Sequence, residues 1–322
     1  MLRWGWGVGA VIVLAVASTM VGVSDVPLSA WWPWSADAEA REILWVSRFP
    51  RTVALVLAGT AMAVSGLLMQ LLVRNRFVEP STVGTTEAAG FGLVVITLLA
   101  PGAPIIVKMV AAAIAALFGT WLFLRVVRVL PVHNTVLVPV VGLMLGGVIA
   151  AMTTFLAYRF DLLQSLNTWM TGDFSGVLRG RYELLWVVGA LTVLAYVAAD
   201  RFTVAGLGES FATNVGLAHG RVLATGLGLV SVVSAVTVVT VGVIPFLGLV
   251  VPNLVSAVLG DNARRSIPWV ALVGAGLVLV CDLVGRLVRY PYEIPIGTVM
   301  GVVGAAFFLV ILLRTRSDHV AA

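Results

Sequence analysis

Continuous apolar runs, cut by short clusters of Pro, Gly, Asn and charge, divide the chain into candidate spans near 5–23, 52–73, 84–100, 105–127, 134–157, 183–199, 222–241, 243–259, 268–285 and 296–313. About 20 mostly apolar residues suffice to cross a bilayer as a helix. The breaks are chemically legible, since PGAP at 101–104, LPVHN at 130–134, DNARRSIP at 261–268 and RYPYEIP at 289–295 combine turn-forming residues with charge. The pattern predicts an all-α membrane protein: a single polytopic domain over 1–322, a bundle of about ten helices with both termini on one side. GVIPFLGLVVP at 242–252 is a candidate for a bent or broken helix, because Gly and Pro interrupt an apolar stretch.

Composition sharpens this picture. The 322 residues are 60% hydrophobic and 11% charged, with a mean hydropathy of +1.07, which leaves no room for a soluble domain. The formal charge of +5 comes from scattered arginines rather than a basic run, so a nucleic-acid partner is excluded and membrane lipid is the expected surrounding. A single cysteine, Cys281, rules out an internal disulfide, and His133, His219 and His319 lie too far apart in sequence for a metal cluster. Arg3, an apolar core and Ala15-Val16-Ala17 have the form of a cleaved leader. The reading adopted is a retained first helix, because the apolar stretch runs on to Val23.

With Arg3 inside, alternating connections place eleven of the twenty Lys and Arg inside and nine outside, which puts both termini in the cytoplasm. The narrow margin leaves unexplained the positive charge outside, at Arg41, Arg48, Arg51, Lys108, Arg159, Arg179, Arg181, Arg286 and Arg289. Two explanations stand: snorkelling to lipid headgroups, or docking of an acidic partner. Residues 24–47 are too polar to span and carry Trp31, Trp32, Trp34 and Trp45, so they are expected along the outer interface. Gly59 with Ala63, Gly142 with Gly146, and Gly297 with Gly301 have the small-residue spacing of tightly packed membrane helices.

Ionisable groups are nearly missing from the predicted spans, Asp282 being the deepest. That argues against an ion-coupled carrier, which needs such groups in its pathway. Neither a catalytic constellation within one span or loop nor a GxxxxGK[ST] nucleotide loop is present, the one lysine being Lys108. The chain therefore reads as neither an enzyme nor a motor, binding no cofactor itself, with ATP and Mg held by a separate ATPase. Residues 201–221 form the longest inner connection, in which Glu209 to Asn214 is predicted as a short helix opened after Gly208 and stopped at Gly216. Leu207, Phe211 and Val215 suit insertion into a partner's groove. The alternative is an interfacial loop without a partner.

RFPRTVALVLAGTAMAVSGLLMQLLVRNRFVEPSTVGT at 48–85, the VIPFLGLVVPNLVSAVLGDNARRS block and YEIPIGTVMGVVGAAFFLVILLR together resemble the permease subunits of ATP-binding-cassette importers for iron-siderophores, haem and cobalamin. The likeness covers essentially the whole chain. It implies a subunit that pairs with a paralogous permease, or with its own copy, and moves a chelate between the two. A pair of cytoplasmic ATPases would drive it, and an extracytoplasmic binding protein would deliver a ferric siderophore. Arg48, Arg51 and Arg286 match the family's docking arginines. Gly208, Glu209, Phe211 and Gly216 match its ATPase coupling helix, and Met144, Gly146 and Met152 are candidates for the pathway. Where the family commonly has Arg-Asn-Pro-Leu-Ala-Asp-Pro, this chain has Arg74-Asn75-Arg76-Phe77-Val78-Glu79-Pro80, which resembles the catecholate-siderophore subgroup. Asn253 stands where many members have histidine. The same machine carrying haem or cobalamin is the alternative, with an ion-driven carrier behind it.

Overall fold

A computed structural model describes residues 4–22, 24, 27, 31, 38–129, 137–260 and 262–320, with side chains left aside at 128 and 311–320. Trp32, Trp34 and the whole LPVHN break, His133 included, lie outside the described residues. The helices are α1 (Trp4–Met20), α2 (Ala38–Ile43), α3 (Phe49–Val73), α4 (Thr85–Leu99), α5 (Ile105–Val129), α6 (Leu137–Arg159), α7 (Leu163–Met170), α8 (Leu185–Val197), α9 (Ala199–Gly206), α10 (Glu209–Asn214), α11 (His219–Val241), α12 (Leu247–Leu259), α13 (Ala263–Leu287) and α14 (Ile296–Val320).

Each of the ten predicted spans has a helix. By length and composition, five helices among the described residues suffice to cross a membrane, or six if the bent pair α8–α9, which turns by 64°, is one span. Three differences from the sequence reading matter. Among the described residues helix begins at Ala38, and one π-helical turn, Leu44–Arg48, carries it into α3, so 38–47 are continuous with the helix of the second span. Ala, Glu, Arg and Leu in 38–44 are good helix formers, and this outweighs their polarity. Arg201–Gly206 belongs to α9 and 219–221 to α11, so the connection read as 201–221 is shorter. Finally, α7 occupies a stretch read as a plain connection.

Helix α3 is the centre of the bundle, packed on α13, α11, α12 and α8. Small residues permit this. A Cβ at Gly59 would sit 2.9 Å from the carbonyl oxygen of Gly274 on α13, and one at Gly66 would land on the backbone of Gly248 on α12. Without water to drive helices together, such close backbone approach supplies the association energy. The other predicted pairs also find partners: Gly142 lies against the carbonyl of Thr82, Gly146 against Gly84, and Gly297 against Gly172.

The Gly- and Pro-rich stretch does break a helix. After α11, Gly242 takes φ +81° and Phe246 φ +62°, and α12 starts only at Leu247. The carbonyl of Val241, at the end of α11, accepts from Asp173 N (2.9 Å), and the neighbouring Gly172 O accepts from Gly297 N (2.9 Å). Gly66→Val should force α3 and α12 apart at a cost of about 3 kcal/mol, visible as lost monodisperse yield and a lowered unfolding temperature in detergent. An exposed apolar change such as Val148→Leu should leave both unchanged.

Candidate functional site

Two polar regions stand out, one at each end of α3. At the end read from charge as outer, α1 finishes with carbonyls that have no partner within the helix, and its dipole is negative there. Two guanidiniums close that end. Arg48 donates to Thr19 O (3.0 Å), Met20 O (2.8 Å) and Ser24 O. Arg286, from α13, donates to Ser18 O (2.9 Å), Val21 O (2.8 Å) and Ser18 Oγ (2.6 Å). Asp282, one turn before Arg286, pairs with it and with Arg51 (2.7 Å), which also meets Glu293 at 2.7 Å. Arg48 is 7% exposed, Arg286 5% and Asp282 3%.

Arg48 and Arg286, two of the three arginines expected to dock a partner outside, are buried in the single chain. Their hydrogen bonds are directed into the end of α1, where burial makes an unpaired carbonyl costly. Arg51 alone of the three sits at the margin. Arg159, Arg179, Arg181 and Arg289 are exposed at this end. Sequence spacing gave no hint of the distinction, since Arg48 and Arg51 belong to one Arg-x-Pro-Arg motif.

At the inner end the sequence reading and the structure agree closely. α10 runs over Glu209–Asn214 behind Gly208 at φ +115°, and Gly216 follows at φ +82°. Both glycines sit where a side chain is strained. Leu207, Phe211 and Val215 are 57%, 48% and 64% exposed, an apolar row presented by a short polar helix. Arg74 ends α3 in the left-handed region, and its guanidinium lies beside Gly208.

Of the pathway candidates, Met144 and Met152 are exposed on α6, eight residues apart and on one face. Gly146 does not share that face. It is buried against Gly84 and close to Glu87. Met152 also lines an apolar groove of about 640 Å³ between α4, α5 and α6. Among the described residues, no three His, Cys, Asp or Glu side chains cluster as metal ligands.

One buried charge was missed. Asp282 is not the only deep carboxylate: Glu79, in the elbow 74–84 read as an inner connection, is 3% exposed. The backbone N–H of Phe246 donates to it (3.1 Å), as does the hydroxyl of Ser81 (2.5 Å), and the N–H groups of Gly248 and Leu249 face it. No sequence pattern announces a connection that folds back among its helices.

The fold is thus a helical membrane domain with a broken span and a short helix exposed at one end. Residues 10–314 match the FecCD transport family, and the chain belongs to it. It is 43% identical over 307 residues to the petrobactin import system permease protein YclN of Bacillus subtilis, covering 95% of this chain and 96% of that one. It is 42% identical over 285 residues to the ferric-anguibactin transport system permease protein FatD of Vibrio anguillarum, covering 87% and 91%. The fold matches a solved inward-facing conformation of metal-chelate ABC-transporter type at TM-score 0.81 and 23% identity, over 96% of this chain and 98% of that one.

Removing the shared carboxylate tests the outer cluster. Asp282→Asn leaves Arg51 and Arg286 short of a counter-charge in a buried site and should cost about 3–5 kcal/mol. In a double-mutant cycle of thermal stability, Asp282→Asn and Arg286→Gln should be strongly non-additive.

Proposed function

We propose that the chain is the permease subunit of an ATP-binding-cassette importer that carries a ferric siderophore across the bacterial cytoplasmic membrane. The observation that carries this reading is the set of relatives at 41–43% identity, two named for petrobactin import and one for ferric anguibactin, matched over at least 87% of this chain. A vitamin B12 permease of Serratia proteamaculans stands further off, at 36% over 300 residues. That ordering favours the siderophore over cobalamin.

In this reading the termini are cytoplasmic and a paralogous permease completes the pathway, with the exposed faces of α6 and α14 toward the partner and the cargo. A pair of ATPases, holding ATP and Mg, takes α10 into a groove through Leu207, Phe211 and Val215. Gly208 and Gly216 shape the two ends of that helix, and Glu209 favours its N-terminus. An acidic binding protein docks outside on the exposed Arg179, Arg181 and Arg289, with Arg51 at the edge, while Arg48 and Arg286 hold the helix end beneath.

Deletion of the gene should abolish uptake of iron presented as a catecholate siderophore while leaving hydroxamate-bound iron, haem and cobalamin untouched, as measured with labelled cargo in parallel. Loss of haem or cobalamin uptake instead would replace the cargo. Charge reversal at Arg179, Arg181 and Arg289 together should weaken binding-protein affinity at least about tenfold, mostly at low ionic strength, without lowering yield. Reversal at Arg48 or Arg286 should lower yield first.

A further inference from the structure

The break between α11 and α12 leaves a helix N-terminus inside the bundle rather than at its surface. Gly248, in the first turn of α12, lies against Gly66, which is seven residues before the inner end of α3 and so about 10 Å above it. A helix N-terminus carries partial positive charge and N–H groups without internal partners. At that depth water is not at hand to satisfy them. Glu79 supplies an acceptor, from a different segment of the chain.

Glu79 does not act alone. Asn253 Nδ2, on the second turn of α12, donates to Arg76 O in the same elbow (2.9 Å), and Gln70 Nε2 on α3 donates to Gly248 O (3.3 Å). Asn75 Oδ1 accepts from Phe77 N (2.9 Å), and Thr82 Oγ1 accepts from Glu79 N (2.9 Å), which set the elbow's own shape. Beyond Glu79 the elbow rests on α6: Thr82 O against Gly142, and Gly84 against Gly146. Below α12, the consecutive helix α13 opens with Ala263 N donating to Thr203 Oγ1 on α9 (3.0 Å) and Arg264 paired with Asp200 of α9 (2.6 Å). α9 leads directly into α10. A line of contacts therefore runs from the exposed short helix, through α13 and α12, to α6, and Glu79 lies on it.

We propose that Glu79 is a positioning residue for transport, an internal acceptor that locks the elbow to the N-terminus of α12 so that movement of the α9–α10 segment reaches α6. This rests on the importer reading above, in which α10 meets the ATPase and α6 faces the pathway. The carboxylate is suited to the task because it holds several N–H groups at once without a bulky cation, and α12 has only a Cα hydrogen at Gly248 to let it approach (a Cβ there would lie 3.2 Å from Oε2).

The test uses the whole importer in proteoliposomes, with both permeases, the ATPases and the binding protein. A spin label at Val140→Cys, on the exposed side of the inner end of α6, reports ATP-driven distance changes, alongside ATP hydrolysis and thermal stability. Glu79→Gln and Glu79→Ala should keep hydrolysis within roughly twofold while abolishing the α6 distance change and lowering uptake about tenfold or more, with Glu79→Asp restoring part of both. An unchanged distance response in the Gln and Ala variants overturns the proposal. So does an α6 that stays still in the parent, or a fall in hydrolysis and uptake in proportion to lost stability. The distance readout needs no cargo, so a wrong substrate assignment appears separately, as a parent transporter that moves α6 but takes up no ferric siderophore.

Discussion

Hydrocarbon offers a peptide group no water, so every helix end or chain break inside the bundle must bring its own partner. The fold can be understood as three answers to that requirement. The C-terminal carbonyls of α1 are closed by Arg48 and Arg286. The N–H groups opening α12 meet Glu79. At the break after α11, the carbonyl of Val241 accepts from Asp173 N, and the adjoining Gly172 carbonyl accepts from Gly297 N at the start of α14. Charged residues that look out of place in so apolar a chain are placed where the backbone needs them.

These arrangements depend on glycine. Gly66 and Gly248 let α3 and α12 meet at backbone distance, and only then can the carboxylate of Glu79 reach the first turn of α12. The same economy of side-chain volume at Gly142 and Gly146 seats the elbow on α6. A static interior near α3 is thereby combined with α6 and α14, which keep large exposed apolar faces for other surfaces, as a subunit of a larger machine requires.

The outer and inner sites differ in how legible they were. The short helix α10 was readable to the residue, because Gly208, Glu209 and Gly216 signal its start and stop locally. The outer arginines were readable as a motif but not in their packing. Arg48 and Arg51 are three residues apart, yet one turns into the bundle and the other toward its rim, and only the position of the end of α1 decides which. Met144 and Gly146 were likewise grouped by sequence and separated by the helical twist between them.

Sequence alone determined the solvent, the number and approximate bounds of the apolar helices, the small-residue contacts and the family, because each depends on composition or on patterns within a few turns of helix. Tertiary structure decided where the elbow 74–84 goes, and with it the burial of Glu79 beside α12. That pairing joins residues 167 positions apart. A carboxylate in a polar connection reads from sequence as solvated, and it becomes an internal helix cap only when distant segments exclude water and bring unpaired N–H groups to meet it.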